Sequence, residues 1–263
     1  MKNIMILDRD DTDVLILTQD QLLSDAVSEK YLIVFDLDNT LAALGKPIEP
    51  KTLQCLQELS AAGHHLAIAS GKPVYYMVGL CRQANLPKIW LIGENGAQTA
   101  FGVDLPPEYC LNAKVKAKSI QALDDLKRKI IAKFGDNIWF QPNEVAMTTF
   151  FTDVQTRVEL EQFLEEIRDE LIQAEITIFP HSDCFDFSPS GINKGKAVTD
   201  LIQWLEVNPL RTISVGDTWN DQSLFEACHH AIAIDFPEAI KSNGTIIHVS
   251  NIEQALIQIQ KIL

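Results

Sequence analysis

The segment LIVFDLDNTLA, Leu32 to Ala42, ends an apolar run on Asp36-x-Asp38-x-Thr40. Two carboxyls and a hydroxyl on alternate residues suit a nucleophile, a proton donor and acceptor, and a group that orients phosphate. The same pattern stands earlier, as Asp8-x-Asp10-x-Thr12 in IMILDRDDTD. The chain that follows distinguishes the copies. Ser70 lies 34 residues beyond Asp36, room for one loop, one helix and one strand, but 62 beyond Asp8, which leaves the strand LIVF unexplained. Asp36 is therefore expected to be the functional copy. Asp8 is expected to be a decoy in a hairpin turn returned by VLILT.

From Tyr31 onward short β-branched runs alternate with amphipathic stretches, the pattern of a parallel sheet covered by helices. Strand LIVF precedes a helix carrying Leu53, Leu56 and Leu59 that Gly63 ends. Strand LAIA, the turn Ser70-Gly71-Lys72, a helix opened by Pro73 and strand IWLI at Ile89 to Ile92 follow. The alternation resumes with a helix from Lys194, strand TISV, a helix after Trp219, strands AIAI and TIIHV, and a last helix through Ile252, Leu256 and Ile259. Right-handed crossovers make this an α/β fold, a Rossmann-like doubly wound parallel sheet with its site beyond the carboxyl ends of the strands.

Between the two halves the rhythm turns strand-rich, with NIWFQ, VAMTTFF and EITIF and two helices among them. The second helix places Leu160, Phe163, Leu164, Ile167 and Leu171 on one face, behind a capping box at Thr156-x-x-Glu159. This predicts a small α+β domain inserted into the sheet domain. The expected divisions are an amino-terminal extension over 1–30, a hairpin plus a helix near Leu22 to Val27; a core over 31–88 and 190–263; and the insert over 89–189.

A chain of 263 residues, 46% hydrophobic, fills a sizeable core. Its net charge of −14 disfavours nucleic acid as a partner, so an anionic substrate has to be captured by a metal or by a few placed cations. Cys55, Cys81, Cys110, Cys184 and Cys228 are odd in number and nowhere spaced C-x-x-C, which argues against a disulfide framework or a zinc cluster. With neither a leader pattern nor a spanning apolar run, a soluble cytoplasmic protein with no membrane partner is expected.

Polar residues fall where the core strands end. Asp36 and Asp38 follow LIVF, Ser70 follows LAIA, Gly216-Asp217 follows TISV with Asn220 and Asp221 just after, and Lys194 opens a core helix. Parallel neighbours would bring these carboxylates, a hydroxyl and an ammonium to one crevice. Phosphoryl transfer through an aspartyl-phosphate needs such a set: carboxylates with Mg²⁺ to mask their charge, a second carboxyl for proton transfer, and a hydroxyl and a lysine for the equatorial oxygens.

These residues resemble the four motifs of the haloacid dehalogenase superfamily of phosphohydrolases: FDLDNTL, ASGK, NKG and GDTWND, in order from about residue 31 to the end. The insert, beginning LIGENGA, is similar to the C2-type cap of the Cof-like branch that hydrolyses phosphorylated sugars and related metabolites. The resemblance makes Asp36 the nucleophile and Asp38 the general acid/base. It places Thr40, Ser70, Gly71 and Lys194 on the phosphate side, Asp36, the Asp38 carbonyl and Asp217 on Mg²⁺, and Asn220 and Asp221 in support of the metal and the lysine. Lys194 is preferred to Lys196 because it directly precedes a glycine. The chain departs from the pattern at Asn39, where glycine is commonest, at Ser70 and Lys72, where Thr and Arg are more usual, and at Asp235-Phe236-Pro237, where the branch often carries Gly-Asn-Ala.

Asn95, in the Asn-Gly turn entering the insert, and Asp183 and Asp186, on the strand returning from it, are candidates for substrate contact. Trp219 is expected to pack under the site. His229-His230 is expected to be a surface or helix-end pair without a metal. The reading is a Mg²⁺-dependent phosphatase of a small phosphorylated metabolite, foremost a sugar phosphate, acting through phospho-Asp36. The alternatives are a disaccharide-phosphate phosphatase of the sucrose- or trehalose-phosphate type, a phosphomutase, and a non-catalytic metabolite-binding protein.

Overall fold

A computed structural model describes residues 3–5, 16–18, 30–104, 108–111, 115–181, 183–236 and 239–263. Strands β1 (Asn3–Met5) and β2 (Ile16–Thr18) pair antiparallel in a two-stranded sheet of their own. Asp8, Asp10, Thr12 and the helix expected near Leu22 to Val27 lie outside the described residues.

The chain then runs β3 (Leu32–Phe35), α1 (Pro50–Ala61), β4 (His65–Ala69), α2 (Val74–Gln83), β5 (Ile89–Gly93), β6 (Gln98–Phe101) and β7 (Glu108–Leu111). Next come α3 (Ala117–Phe134), β8 (Ile138–Phe140), β9 (Met147–Phe151), α4 (Val154–Glu166), α5 (Arg168–Gln173), β10 (Ile176–Pro180) and β11 (Cys184–Pro189). The remainder is α6 (Lys194–Leu205), β12 (Thr212–Gly216), α7 (Gln222–Ala227), β13 (His230–Ile234), β14 (Thr245–Val249) and α8 (Ile252–Ile262).

An eight-stranded sheet in the order β14-β13-β12-β3-β4-β5-β6-β7 is parallel from β14 to β5 and antiparallel through β6 and β7. Its central strands β3, β4 and β5 are apolar on both faces because both are covered. Ile33, Phe35, Leu66, Ile68 and Leu91 pack against α1, α2 and α8, while Leu32, Val34, Ala67, Trp90 and Ile92 pack against α6. The chain winds outward from β3 in one direction and from β12 in the other, so the switch point lies between them.

The insert was expected to start at residue 89, and the sheet places that boundary later. Leu91 packs in one core layer and Trp90 and Ile92 in the other, which makes β5 an interior strand, and β6 and β7 extend the same sheet. The inserted α+β layer has its own antiparallel sheet, β10-β11-β9-β8. Leu123, Leu126 and Ile130 of α3 and Leu160, Phe163 and Leu164 of α4 cover one face of it, against Met147, Phe185 and Phe187. The capping box expected at Thr156 is a different device: Asp153 is the N-cap, its carboxylate accepting the Thr156 N–H at 2.8 Å, and the helix begins two residues before Thr156. Among the described residues no helix is long and apolar enough to cross a membrane.

Candidate active site

Strand ends set the positions of the polar residues. Asp36 follows β3, and its N–H donates to the Val215 carbonyl at 2.9 Å, extending the β3–β12 pairing by one bond. Ser70 follows β4, with its N–H on the Ile92 carbonyl at 2.9 Å. Lys194 is the first residue of α6, behind the Asn193 N-cap that accepts the Lys196 N–H at 2.8 Å. Gly195 is required there, since a Cβ would stand 1.9 Å from the Ser223 carbonyl oxygen.

Lys194 is 1% exposed and its Nζ donates to Asp36 Oδ1 at 2.6 Å and to Asp221 Oδ1 at 2.7 Å. Asp221, fully buried, also accepts the N–H groups of Asp217 at 3.1 Å and Thr218 at 3.2 Å. Thr40 donates its hydroxyl to Asp217 Oδ1 at 2.9 Å. Carboxylate oxygens of Asp36, Asp217 and Asp221 lie within 4.8 Å of one another. Burial, and then the crowding of Asp221 and Asp217, push the Asp36 carboxyl up to about 8 against the pull of Lys194. Burial and Asp221 likewise push Asp217 up to about 6. Burial works against the Lys194 charge, but Asp221 and Asp36 outweigh it and hold the ammonium protonated. A cluster of hard oxygen donors so short of positive charge fits a hard divalent cation.

Asp38 is half-buried and pairs with Lys72 Nζ at 2.9 Å. Burial alone would lower the Lys72 pKa, and the bond to Asp38 raises it overall. The Ser70 hydroxyl accepts the Lys72 N–H at 3.1 Å, which leaves its proton for another acceptor. Gly71 sits where a Cβ would approach Asp186 Oδ2 to 3.2 Å. Asn220 accepts the Thr218 hydroxyl.

A cavity of about 700 Å³ lies between these residues and the inserted layer. Asp36, Asp38, Ser70, Gly71 and Asn220 form its floor, and the face of the small sheet opposite its helices forms its roof. Because side chains alternate along strands, Phe185 and Phe187 enter the helix-covered core while Cys184 and Asp186 face the cavity, joined by Thr148 and Phe150 of β9. Asp186 accepts Asn95 Nδ2 at 2.8 Å and the Thr148 hydroxyl at 2.6 Å, and lies 3.2 Å from His181 Nε2. Burial pushes its carboxyl up, but His181, Thr148 and Asn95 together bring it below the usual range. The structure thus brings together the residues singled out in the core motifs and joins Asn95 to Asp186 by a hydrogen bond at the roof. Trp219 does not pack under the site. It is 55% exposed at the cavity rim, its ring edge-to-face on Phe236 at 5.3 Å, because Phe236 fills the space beneath it. His230 begins β13, so the His229-His230 pair lies at the end of that strand remote from the site.

The sequence reading missed the Lys72–Asp38 pair and the roof residues Gln141, Thr148, Phe150, Phe179 and His181. Alternation on β9 and β11 was the available signal. Which face turned toward the core depended on the docking of the insert. Glu94 makes that docking: buried in the turn before Asn95, it accepts the N–H groups of Glu144 at 2.7 Å, Val145 at 2.8 Å and Ala146 at 2.7 Å.

Residues 29–241 match the family model described as sucrose-6F-phosphate phosphohydrolase. The chain belongs to that family. It is accordingly a phosphoric monoester hydrolase of the haloacid dehalogenase superfamily. A phosphoglycolate phosphatase of Natronomonas pharaonis is 25% identical over 202 residues, 77% of this chain and 83% of that protein. A haloacid dehalogenase-like hydrolase from Bacteroides thetaiotaomicron superposes with a TM-score of 0.67 at 17% identity, covering 88% of this chain and all of that one. The C-terminal domain of the C. albicans trehalose-6-phosphate phosphatase gives a TM-score of 0.69 at 19% identity, covering 94% and 96%.

Proposed function

We propose that the chain hydrolyses the phosphate ester of a neutral, polyhydroxylated metabolite, a sugar phosphate, through a phospho-Asp36 intermediate with Mg²⁺ as cofactor. What supports the chemistry above all is the buried Asp36–Lys194–Asp221 linkage at 2.6 and 2.7 Å, which fixes a carboxylate at the floor of the cavity. Mg²⁺, held by Asp36, the Asp38 carbonyl and Asp217, would supply the positive charge that lets an anionic ester approach an anionic nucleophile.

Asp36 attacks phosphorus, and the ester oxygen departs with the proton of Asp38. Lys194 and the Ser70 hydroxyl meet the equatorial oxygens, where charge accumulates. Asp38 then takes a proton from the water that opens the acyl phosphate. Lys72 holds Asp38 in place between these steps, and Asn220 and Asp221 brace the turn that carries Asp217.

The leaving group is read from the roof. Asp183 and Asp186 line the cavity with Gln141 and Thr148, while Lys72, among the described lining residues, is engaged by Asp38. That field repels a carboxylate or a second phosphate on the leaving group, so an anionic leaving group such as glycolate fits poorly. Phe150, Phe179 and Trp219 offer apolar faces for sugar rings. Their spread around the cavity favours, as a second reading, a disaccharide phosphate.

A panel of monosaccharide and disaccharide phosphates, phosphoglycolate and nucleotides, assayed with Mg²⁺ for phosphate release, tests the proposal. Sugar phosphates should exceed phosphoglycolate in kcat/KM by at least roughly tenfold, one discriminating interaction's worth. Asp36→Asn should abolish turnover and Asp8→Asn should leave it near wild type. A preference for phosphoglycolate would overturn the substrate reading, and activity in Asp36→Asn would overturn the mechanism.

A further inference from the structure

The roof of the cavity carries a second group of ligating side chains that the proposed reaction does not use as a set. His181 directly follows β10, and its N–H donates to the Cys184 carbonyl at 2.8 Å, which continues the β10–β11 pairing and makes the two residues cross-strand partners. Cys184 and Asp186 stand two apart on β11, on the same face. The side chains therefore converge by register: a His nitrogen, the Cys sulfur and an Asp oxygen lie within 4.8 Å of one another.

We propose that His181, Cys184 and Asp186 form a binding site for a Zn²⁺-class cation, and that its occupation blocks the leaving-group side of the cavity. A nitrogen, a thiolate and a carboxylate select a borderline-soft metal over Mg²⁺, which takes oxygen. Zinc bonds of about 2.0–2.3 Å at tetrahedral angles set donors about 3.3–3.8 Å apart, close to the 3.2 Å between His181 Nε2 and Asp186 Oδ2. The Cys184 sulfur lies within 4.8 Å of both. Binding replaces the thiol proton, which goes to solvent.

The surroundings are those of a prepared site. His181 Nε2 is buried without a well-formed hydrogen bond. Asn95 Nδ2 and the Thr148 hydroxyl hold the Asp186 carboxylate, as outer partners orient metal ligands. β11 is paired on both sides, by β10 and β9, so Cys184 and Asp186 sit on a rigid interior strand. All three ligands line the cavity, so a fourth coordination position opens into it. An occupied site puts a cation and its bound water where the leaving group would lie.

The binding claim is independent of the phosphatase reading, whereas the blocking claim rests on it, and the test separates them. The full chain, saturated with Mg²⁺, is titrated with Co²⁺ and the near-ultraviolet spectrum followed. A thiolate-to-cobalt charge-transfer band should appear, and one equivalent of Zn²⁺ should displace it. The band should vanish in Cys184→Ser, weaken in His181→Asn, and persist in Asp217→Asn, which disables the oxygen site instead. Absence of the band in the wild type, or its survival in Cys184→Ser, would overturn the site. In the turnover assay at saturating Mg²⁺, the half-inhibitory Zn²⁺ concentration should rise roughly tenfold or more in Cys184→Ser, relative to that variant's own rate. An unchanged value would overturn the blocking while leaving the cobalt result to stand for the site.

Discussion

Asp36→Asn should make the metal-free protein more stable while abolishing its activity, and the size of the effect follows from the burial of that carboxyl. In the fold Asp36 titrates at about 8, whereas in the unfolded chain it returns to about 3.9. A carboxyl raised on folding contributes stability that is complete below the unfolded value and is lost as pH rises toward the folded one. At pH 7 the unfolded chain gains about 1.4 kcal/mol for each of roughly three pH units by ionising Asp36, a difference near 4 kcal/mol that an uncharged Asn does not forfeit. The Asn carbonyl oxygen can still accept the Lys194 ammonium, but its amide hydrogens lack designed partners, at a cost of about 1–3 kcal/mol. The net gain is about 1–3 kcal/mol at pH 7. It should shrink by about 1.4 kcal/mol per pH unit toward pH 5 and level off above about pH 8. Urea denaturation in EDTA at pH 5, 7 and 8.5 measures it directly. Millimolar Mg²⁺ should then stabilise the wild type preferentially and narrow the gap. A variant no more stable than the wild type at pH 8.5 in EDTA would refute the claim that this carboxyl is held against its own charge.

Further outcomes follow from neighbouring contacts. Mg²⁺ affinity by calorimetry should fall between pH 9 and pH 6, because protons compete on Asp36, at about 8, and on Asp217, at about 6; buffers of different ionisation enthalpy should reveal proton release, and a pH-independent affinity would contradict the crowding. Glu94→Gln sets an amide N–H₂ against the backbone N–H groups of residues 144–146 and should lower unfolding stability by about 1–3 kcal/mol, with a raised KM as the inserted layer loosens. Gly96→Ala should lose about 2 kcal/mol or more and most of the turnover, because φ is +102° and the added Cβ would meet the Asn193 carbonyl at 2.4 Å, displacing the cap that seats Lys194. Unchanged melting and turnover in that variant would show that the turn does not set the lysine.

The floor of the site was legible because it is built from chain-local features. A buried parallel strand carries no charged residue and few polar ones, so the polar residues just after LIVF, LAIA and TISV mark their carboxyl ends, and those ends lie side by side around the switch point of a doubly wound sheet. Asp36, Ser70 and Asp217 could be placed together on that ground, and Lys194 joined them through the Asn193-Lys194-Gly195 helix start. The boundary of the insert was less legible, because β6 and β7 extend the large sheet antiparallel and break the alternation that betrays βαβ units. Asp153, rather than Thr156, caps α4 because a cap is chosen by where the backbone turns, which two neighbouring candidates leave open.

By itself, then, the sequence determined the fold class and the ends of the core strands, because both follow from hydrophobic period and local turn chemistry, and the ends of those strands marked the polar residues that meet at the cavity floor. Only the tertiary structure decided what faces those residues across the cavity. Cys184, Asp186, Thr148 and Phe150 share one face of a sheet whose other face is taken by α3 and α4, and the Glu94 turn fixes that sheet over Asp38. Register and docking are agreements between segments far apart in the chain. No single stretch of residues contains them.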